Sequence, residues 1–316
     1  MEYFAGSGSL DRPLRKPIVT VGNFDGLHVG HRAITDTVVA RARASAGTAV
    51  VYTFNPHPIR VLRPDEAPRL LTTHEQKVEL LEQAGIDALI VEDFDAEFAA
   101  ISAERFIREF LFERIRPIAV YVGYDFHFGR DREGSMRLLT ELGPRLGFSV
   151  TIIPEVTMEG SDVNSTRIRK LLVESHVEKA GRMLGRVYSV RGRIVQGDQR
   201  GRTLGFPTAN LDPENEILPA AGVYAGRFLF IDDGIPERGV ELPAVMNVGT
   251  RPTFEGDGRT HAEAHLLDFK GDLYGRRVEM SFVARLRDER RFSGVDSLRE
   301  QIAADVGAAR EILDLS

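Results

Sequence analysis

Cysteine is absent from all 316 residues. That excludes disulfides, thiolate zinc sites and cysteine nucleophiles together. Long apolar runs are also missing: none approaches the ~18 residues a bilayer span needs. The opening stretch MEYFAGSGSLDRPLRKP has no apolar block of the kind a signal peptide carries. The expectation is a soluble cytoplasmic protein. Neither G-x-G-x-x-G after a strand nor G-x-x-x-x-G-K-[ST] occurs, so the dinucleotide fingerprint and the P-loop are both excluded. Internal repeats and low-complexity segments are absent. Basic excess is lacking too: the formal net charge is −6, which argues against bulk binding of nucleic acid or an anionic membrane while leaving room for a local basic pocket.

What the chain does have is a composition 42% apolar, sufficient for ordinary cores, and a length that suggests two domains at roughly 100–200 residues each. The first half alternates strand-like and helix-like segments. Strands are expected at 17–22, 48–54, 88–91, 117–122 and 148–153. Helices are expected at 31–45, at 74–84 behind a Thr73/Gln76 capping box, and around Phe106, Ile107, Phe110 and Leu111. This β-α-β rhythm predicts a parallel sheet covered on both faces. After about residue 183 short strands follow one another at 187–195, 223–231, 243–248, 261–269 and 277–285, separated by Gly, Pro and Asp turns. That spacing predicts an antiparallel barrel, closed by a helix at about 295–312. The boundary is expected near Gly185, dividing the chain into 1–184 and 185–316.

Residues 19–31, VTVGNFDGLHVGH, run from a strand through a turn into a helix. In a parallel sheet, ligands bind where strands feed helices. A helix N-terminus there offers free N–H groups and partial positive charge to a phosphate. Gly22, Gly26 and Gly30 let a phosphate approach the backbone, and His28 and His31 can donate to its oxygens. A plain glycine turn with two surface histidines fits the same spacing. A His-x-x-His metal site fits it less well, because no third ligand of suitable type is near in sequence.

The segment GNFDGLHVGH resembles the H-x-G-H signature of the nucleotidyltransferase superfamily, whose second signature, S-T-x-I-R, is matched by Ser165-Thr166-Arg167-Ile168-Arg169. TFNPHP (53–58) and GYDFHFGRDREGS (123–135) narrow the resemblance to the adenylyltransferase half of the bacterial bifunctional riboflavin kinase/FAD synthetase. That resemblance implies a Rossmann-like N-terminal domain. It implies ATP and phosphate binding by Gly22, Asn23, Asp25, Gly26, Gly30, Ser165, Thr166 and Arg169, with His28 and His31 catalytic. It implies flavin binding by Asn55, Pro56, His57, Pro58, Asp125 and Phe126. Two departures are visible: Asn164 stands where the family usually has serine, and His127 where it often has arginine.

The C-terminal half is similar to the riboflavin kinase domain of the same family through GRIVQGDQRGRTLGFPTAN (192–210), AGVYAG (221–226), MNVGTRPTF (246–254) and EAHLLDFKGDLYG (263–275). The resemblance implies that the loop containing Gly201 covers ATP, that Thr208 ligates Mg²⁺ beside Asn210, and that Glu263 accepts the proton of the riboflavin 5′-hydroxyl. On strand geometry alone Glu263 and His265 share one face, which a solvent-facing strand also explains. The implied function is ATP-dependent phosphorylation of riboflavin to FMN, then adenylylation of FMN to FAD with release of pyrophosphate. The competing readings are a riboflavin kinase whose first domain only senses nucleotide or flavin, and a non-catalytic flavin-binding module. The intact His28, His31, Ser165, Thr166 and Arg169 oppose the former, and Thr208, Asn210 and Glu263 oppose the latter.

Overall fold

The computed structural model describes residues 1–197, 206–250, 260–269 and 271–314. Contacts group the chain into two compact units, Met1–Arg69 with His74–Asn164, and Leu70–Thr73 with Ser165–Ser316.

The first unit is built on a parallel sheet of six strands: β1 (Glu2–Ala5), β2 (Pro17–Val21), β3 (Thr48–Asn55), β4 (Ala88–Asp93), β5 (Ala119–Gly123) and β6 (Ser149–Ile153). Its helices are α1 (Val29–Ser45), α2 (Pro58–Leu62), α3 (His74–Gln83), α4 (Ala96–Ala99), α5 (Ala103–Arg105), which runs into a π-helical stretch Phe106–Glu113, and α6 (Met136–Leu146). A small hairpin follows, β7 (Thr157–Met158) with β8 (Ser161–Asp162).

The central strands are apolar at nearly every position because both sheet faces are covered. Val19, Val21, Val50, Tyr52, Ile90, Val120 and Val122 pack on one side. Ile18, Ala49, Val51, Leu89 and Ala119 pack on the other, against Val38 and Ala42 of α1. The strand order β1-β4-β3-β2-β5-β6 reverses direction between β2 and β5. The carboxyl ends of those two strands are therefore adjacent at the switch point where open α/β sheets bind ligands. The β1 edge strand was not expected from the sequence. It is four residues long and buries only Phe4, so it carries no periodic signal.

The second unit contains α7 (Ser165–Val173), α8 (Val177–Leu184), a closed barrel and α9 (Val295–Ile312). The barrel strands are β9 (Tyr188–Val195), β10 (Ala209–Pro213), β11 (Gly222–Phe230), β12 (Glu241–Thr250), β13 (Thr260–Leu266) and β14 (Arg277–Arg287), ordered β10-β13-β12-β11-β14-β9 with antiparallel pairing throughout. Tyr188, Tyr224, Phe228, Met246, Met280 and Phe282 are fully buried among these strands. Val223, Ala225 and Val245 join Ala309 and Leu313, so α9 covers an apolar patch of β11 and β12. The sequence predicts no strand at β10, which begins with the last two residues of the GFPTAN motif.

Residues Leu70–Thr73 form a short strap belonging to this second unit. Asn215 ties it down: its Oδ1 accepts from Arg191 N–H at 2.8 Å and its Nδ2 donates to Leu71 O at 3.4 Å. Leu70 N–H donates to Glu216 Oε2 at 2.9 Å. Among the described residues, no helix is long and apolar enough to cross a membrane.

Candidate active sites

Between β2 and α1 the backbone passes through the left-handed region at Phe24, Gly26 and Leu27 (φ 50°, 79° and 36°), which coils the loop tightly. Asp25 and His28 are buried in it. His28 caps α1: its Nδ1 accepts from the His31 N–H at 3.2 Å. The two rings stack, with centroids 3.7 Å apart and planes at 18°, and Phe24 lies 5.2 Å from the His31 ring. A side chain at Gly30 would stand 3.1 Å from both Cε1 and Nδ1 of His28, so glycine is what allows the imidazole its place.

Burial, then the charges of His28 and Lys77, hold the His31 pKa well below the ordinary histidine value. Its Nδ1 is buried and has no hydrogen-bond partner among the described residues. Lys77, in the first turn of α3, was not among the sequence candidates. Its Nζ donates to Asn23 O at 3.2 Å. The loop therefore assembles Gly22, Asn23, Asp25, Gly26, His28, Gly30 and His31 as the sequence suggested, with an unforeseen cation beside them.

The residues that the resemblance assigns to flavin lie at the exits of β3 and β5. Asn55 and Pro56 are joined by a cis peptide, and His57 caps α2 through Nδ1, accepting from Ile59 N–H at 3.3 Å. Asp125 and His127 are exposed and Phe126 is half-buried. Asp125 O and His127 Nδ1 are 2.8 Å apart. Phe126 stacks on Phe128 at 5.2 Å, and tilted and edge-on ring contacts continue through Phe106 and Phe98 to Phe54. One chain of rings thus links the two exits. Ser165, Thr166 and Arg169 lie at the start of α7, in the second unit.

In the barrel, pairing aligns Asn210 of β10, Glu263 of β13 and Asn247 of β12 in a row across three strands. Directly opposed residues share a face. Glu263 lines a cavity of about 620 Å³ together with Phe206, Thr208, Asn247 and His265. His265 Nδ1 lies 2.9 Å from Pro207 O, and His261 Nε2 is 3.7 Å from Glu263 Oε1. So Glu263 and His265 do share a face, and it fronts a cavity rather than open solvent. Gly201 lies outside the described residues.

Sequence reasoning also missed the far wall of this cavity. Arg287 donates to both oxygens of buried Asp305 at 2.8–3.1 Å, a fork that ties β14 to α9. Gln301 completes the clamp, its Nε2 donating to Asp305 Oδ1 at 2.7 Å. Arg290 and Arg287 flank the Phe292 ring at 5.0 and 5.8 Å. The two clamp residues are too far apart in sequence for local patterning to pair them.

The FAD synthetase family profile matches residues 11–167 and the riboflavin kinase family profile matches residues 184–313. The chain is 38% identical over 317 residues to the bifunctional riboflavin kinase/FMN adenylyltransferase of Escherichia coli strain K12, covering 100% of this chain and 99% of that protein. It is 35% identical to the enzyme of that name from Bacillus subtilis strain 168, over 92% of this chain and 90% of that one. A crystal structure described as a macrolide-efflux protein from Streptococcus pneumoniae superposes with a TM-score of 0.86 at 30% identity, covering 98% of each chain. Two profiles in tandem and full-length relatives of one kind lead to a single conclusion: the chain belongs to the bifunctional riboflavin kinase/FMN adenylyltransferase family.

Proposed function

We propose that the two reactions of this family run at separate sites. Adenylyl transfer uses the loop from Gly22 to His31. Phosphorylation uses the barrel cavity. The observation that carries the reading is the pair of independent constellations, one in each unit: the stacked His28–His31 cap on α1, and the Asn210–Glu263–Asn247 row fronting the cavity.

At the first site a phosphate oxygen of FMN attacks the α-phosphorus of ATP, and the bond to pyrophosphate breaks. His28 and His31 act as positioned donors to the charge that builds on the phosphoryl oxygens. His31 is well suited because its environment keeps it neutral, so it donates without a net charge to desolvate. The resemblance assigns Ser165, Thr166 and Arg169 to phosphate oxygens of ATP. Phe126, half-buried at the exit of β5, offers an aromatic ring to the isoalloxazine, with Asn55, Pro56, His57, Pro58 and Asp125 as the other flavin contacts.

At the second site Glu263 takes the proton of the riboflavin 5′-hydroxyl while that oxygen bonds to the γ-phosphorus and ADP departs. The donors nearby are hard oxygens, Thr208 Oγ1 and Asn210 Oδ1, which fit Mg²⁺. Among the described residues, no cluster of three His, Cys, Asp or Glu side chains could hold a metal by itself. On the resemblance, Thr208 would hold Mg²⁺ alongside phosphate oxygens and water, with Asn210 beside it. Bound there, the ion would neutralise phosphate charge. Gly201 belongs to the segment proposed to cover ATP. Both reactions consume ATP, in keeping with a cytoplasmic site of action.

The test is one incubation of the full-length protein with riboflavin, ATP and Mg²⁺, with the flavins chromatographed over time. FMN followed by FAD is expected. The double variant His28→Ala, His31→Ala should make FMN and no FAD. Loss of both activities in a folded double variant would refute the division of labour, and FMN alone from the wild type would favour the kinase-only alternative.

A further inference from the structure

The loop chemistry above leaves one charged group unused. Lys77 stands in the first turn of α3, half-buried, with its Nζ 3.2 Å from Asn23 O. That carbonyl belongs to the same loop that carries Asp25, His28 and His31. An ammonium has three N–H donors. Among the described residues its hydrogen bond goes to a carbonyl, which satisfies one donor and neutralises no charge. Burial pushes the Lys77 pKa down, with Asp25 opposing. Lys77 in turn helps to hold His31 and His74 below their ordinary values. A partly desolvated cation with donors in hand, beside a buried imidazole nitrogen without a partner among the described residues, is an arrangement that costs stability. An anion with several oxygens would relieve both at once.

We propose that Lys77 is a phosphate-binding residue of the adenylylation site, donating to a phosphoryl oxygen of the bound substrates. The inference rests on the loop reading given above. The oxygen belongs either to the triphosphate of ATP, whose pyrophosphate portion departs in the reaction, or to the phosphate of FMN. The chemistry is the same: a point-like ammonium offers charge and a rotatable donor to an oxygen that carries or gains negative charge. Lys77 does this from a helix of the sheet domain, not from the loop itself, so the cation is held on a rigid element while the loop supplies the backbone cradle.

The test uses full-length protein with Lys77→Met and Lys77→Arg. The measurements are FAD formation from FMN and ATP, and calorimetric binding of inorganic pyrophosphate and of FMN separately. Riboflavin kinase turnover in each preparation reports on folding. Lys77→Met should lose about 10²-fold in FAD formation, and Lys77→Arg should recover most of it. Weakened pyrophosphate binding assigns Lys77 to the nucleotide, and weakened FMN binding assigns it to the flavin phosphate. Wild-type FAD formation in Lys77→Met overturns the proposal. So does equal loss in both variants with both ligands bound as in the wild type, since that pattern means Lys77 only anchors the Asn23 carbonyl. If His28→Ala, His31→Ala retains adenylylation, the loop reading itself fails, whatever Lys77 does.

Discussion

Replacing Gly30 with alanine adds one methyl group in the first turn of α1. On secondary-structure grounds the change should help, since alanine exceeds glycine by up to about 1 kcal/mol in a helix. The local geometry says otherwise. The new Cβ would stand 3.1 Å from His28 Cε1 and Nδ1 and 3.4 Å from the Val163 carbonyl oxygen. Carbon contacts are comfortable at roughly 3.5–4.0 Å, so the His28 ring must retreat by several tenths of an ångström. It is stacked on His31 at 3.7 Å and holds the His31 N–H at 3.2 Å. Retreat therefore weakens the cap, at a cost of about 0.5–2 kcal/mol. The two effects nearly cancel in stability. They do not cancel in rate, because misplacing a reacting group by about 1 Å costs up to ~10². The assay is FAD formation from FMN and ATP, with riboflavin phosphorylation and a thermal melt on the same preparation. FAD formation is expected to fall by about 10- to 100-fold, with kinase turnover unchanged and the melt shifted little. Wild-type FAD formation in a folded variant would refute the claim that this glycine makes room for a working histidine.

Glu263→Gln keeps the side chain's size and removes the proton acceptor. FMN formation should fall by ~10²–10⁴ with riboflavin and ATP binding little changed, and near-wild-type turnover would remove Glu263 from the mechanism. FAD formation from supplied FMN should be unaffected in that variant, because its nucleophile is already ionised. Acid should weaken the first unit through His31, whose pKa is lowered by burial, then by His28 and Lys77. The unfolded chain takes up this proton below about pH 6.5 and the folded protein does not, so stability is full above that pH and falls by about 1.4 kcal/mol per unit beneath it. Denaturant melts across that range check the slope, and an unchanged slope in His31→Asn would refute the assignment. A fragment spanning 165–316 should melt well above one spanning 186–316. The shorter piece lacks α7 and α8, whose Ile168, Leu172, Val177, Met183 and Leu184 are buried, at about 1.5–3 kcal/mol for each large side chain. Equal melting temperatures would mean these two helices contribute nothing to the barrel.

The sheet strands were legible because burial on both faces leaves continuous apolar runs, as in PIVTV at β2, where every residue is buried. The barrel strands were legible through their spacing. β1 and β10 escaped for opposite reasons: EYFA is too short to show a period, and ANLDP ends in proline and begins in a motif that draws attention to binding rather than pairing. The histidines and glycines of the β2–α1 loop could be read locally because all of them lie within ten positions or so, the span of one strand-to-helix turn. Lys77 and the Arg287–Asp305 fork could not. Lys77 sits in a helix whose sequence signals concern only its own start. The fork depends on how α9 lies against β14, which no local pattern encodes.

The strap at Leu70–Thr73 imposes an order on the making of this protein. Its partners Asn215 and Glu216 follow 144 and 146 positions later in the chain. A ribosome adding about 5–20 residues per second therefore leaves the strap without them for roughly 7–30 s. During that interval Leu71 and Thr72, which end at 1% and 5% exposed, have no cover from the residues that will enclose them. A nascent chain arrested before β10 should accordingly be nicked by protease at the strap, and one released after α9 should resist.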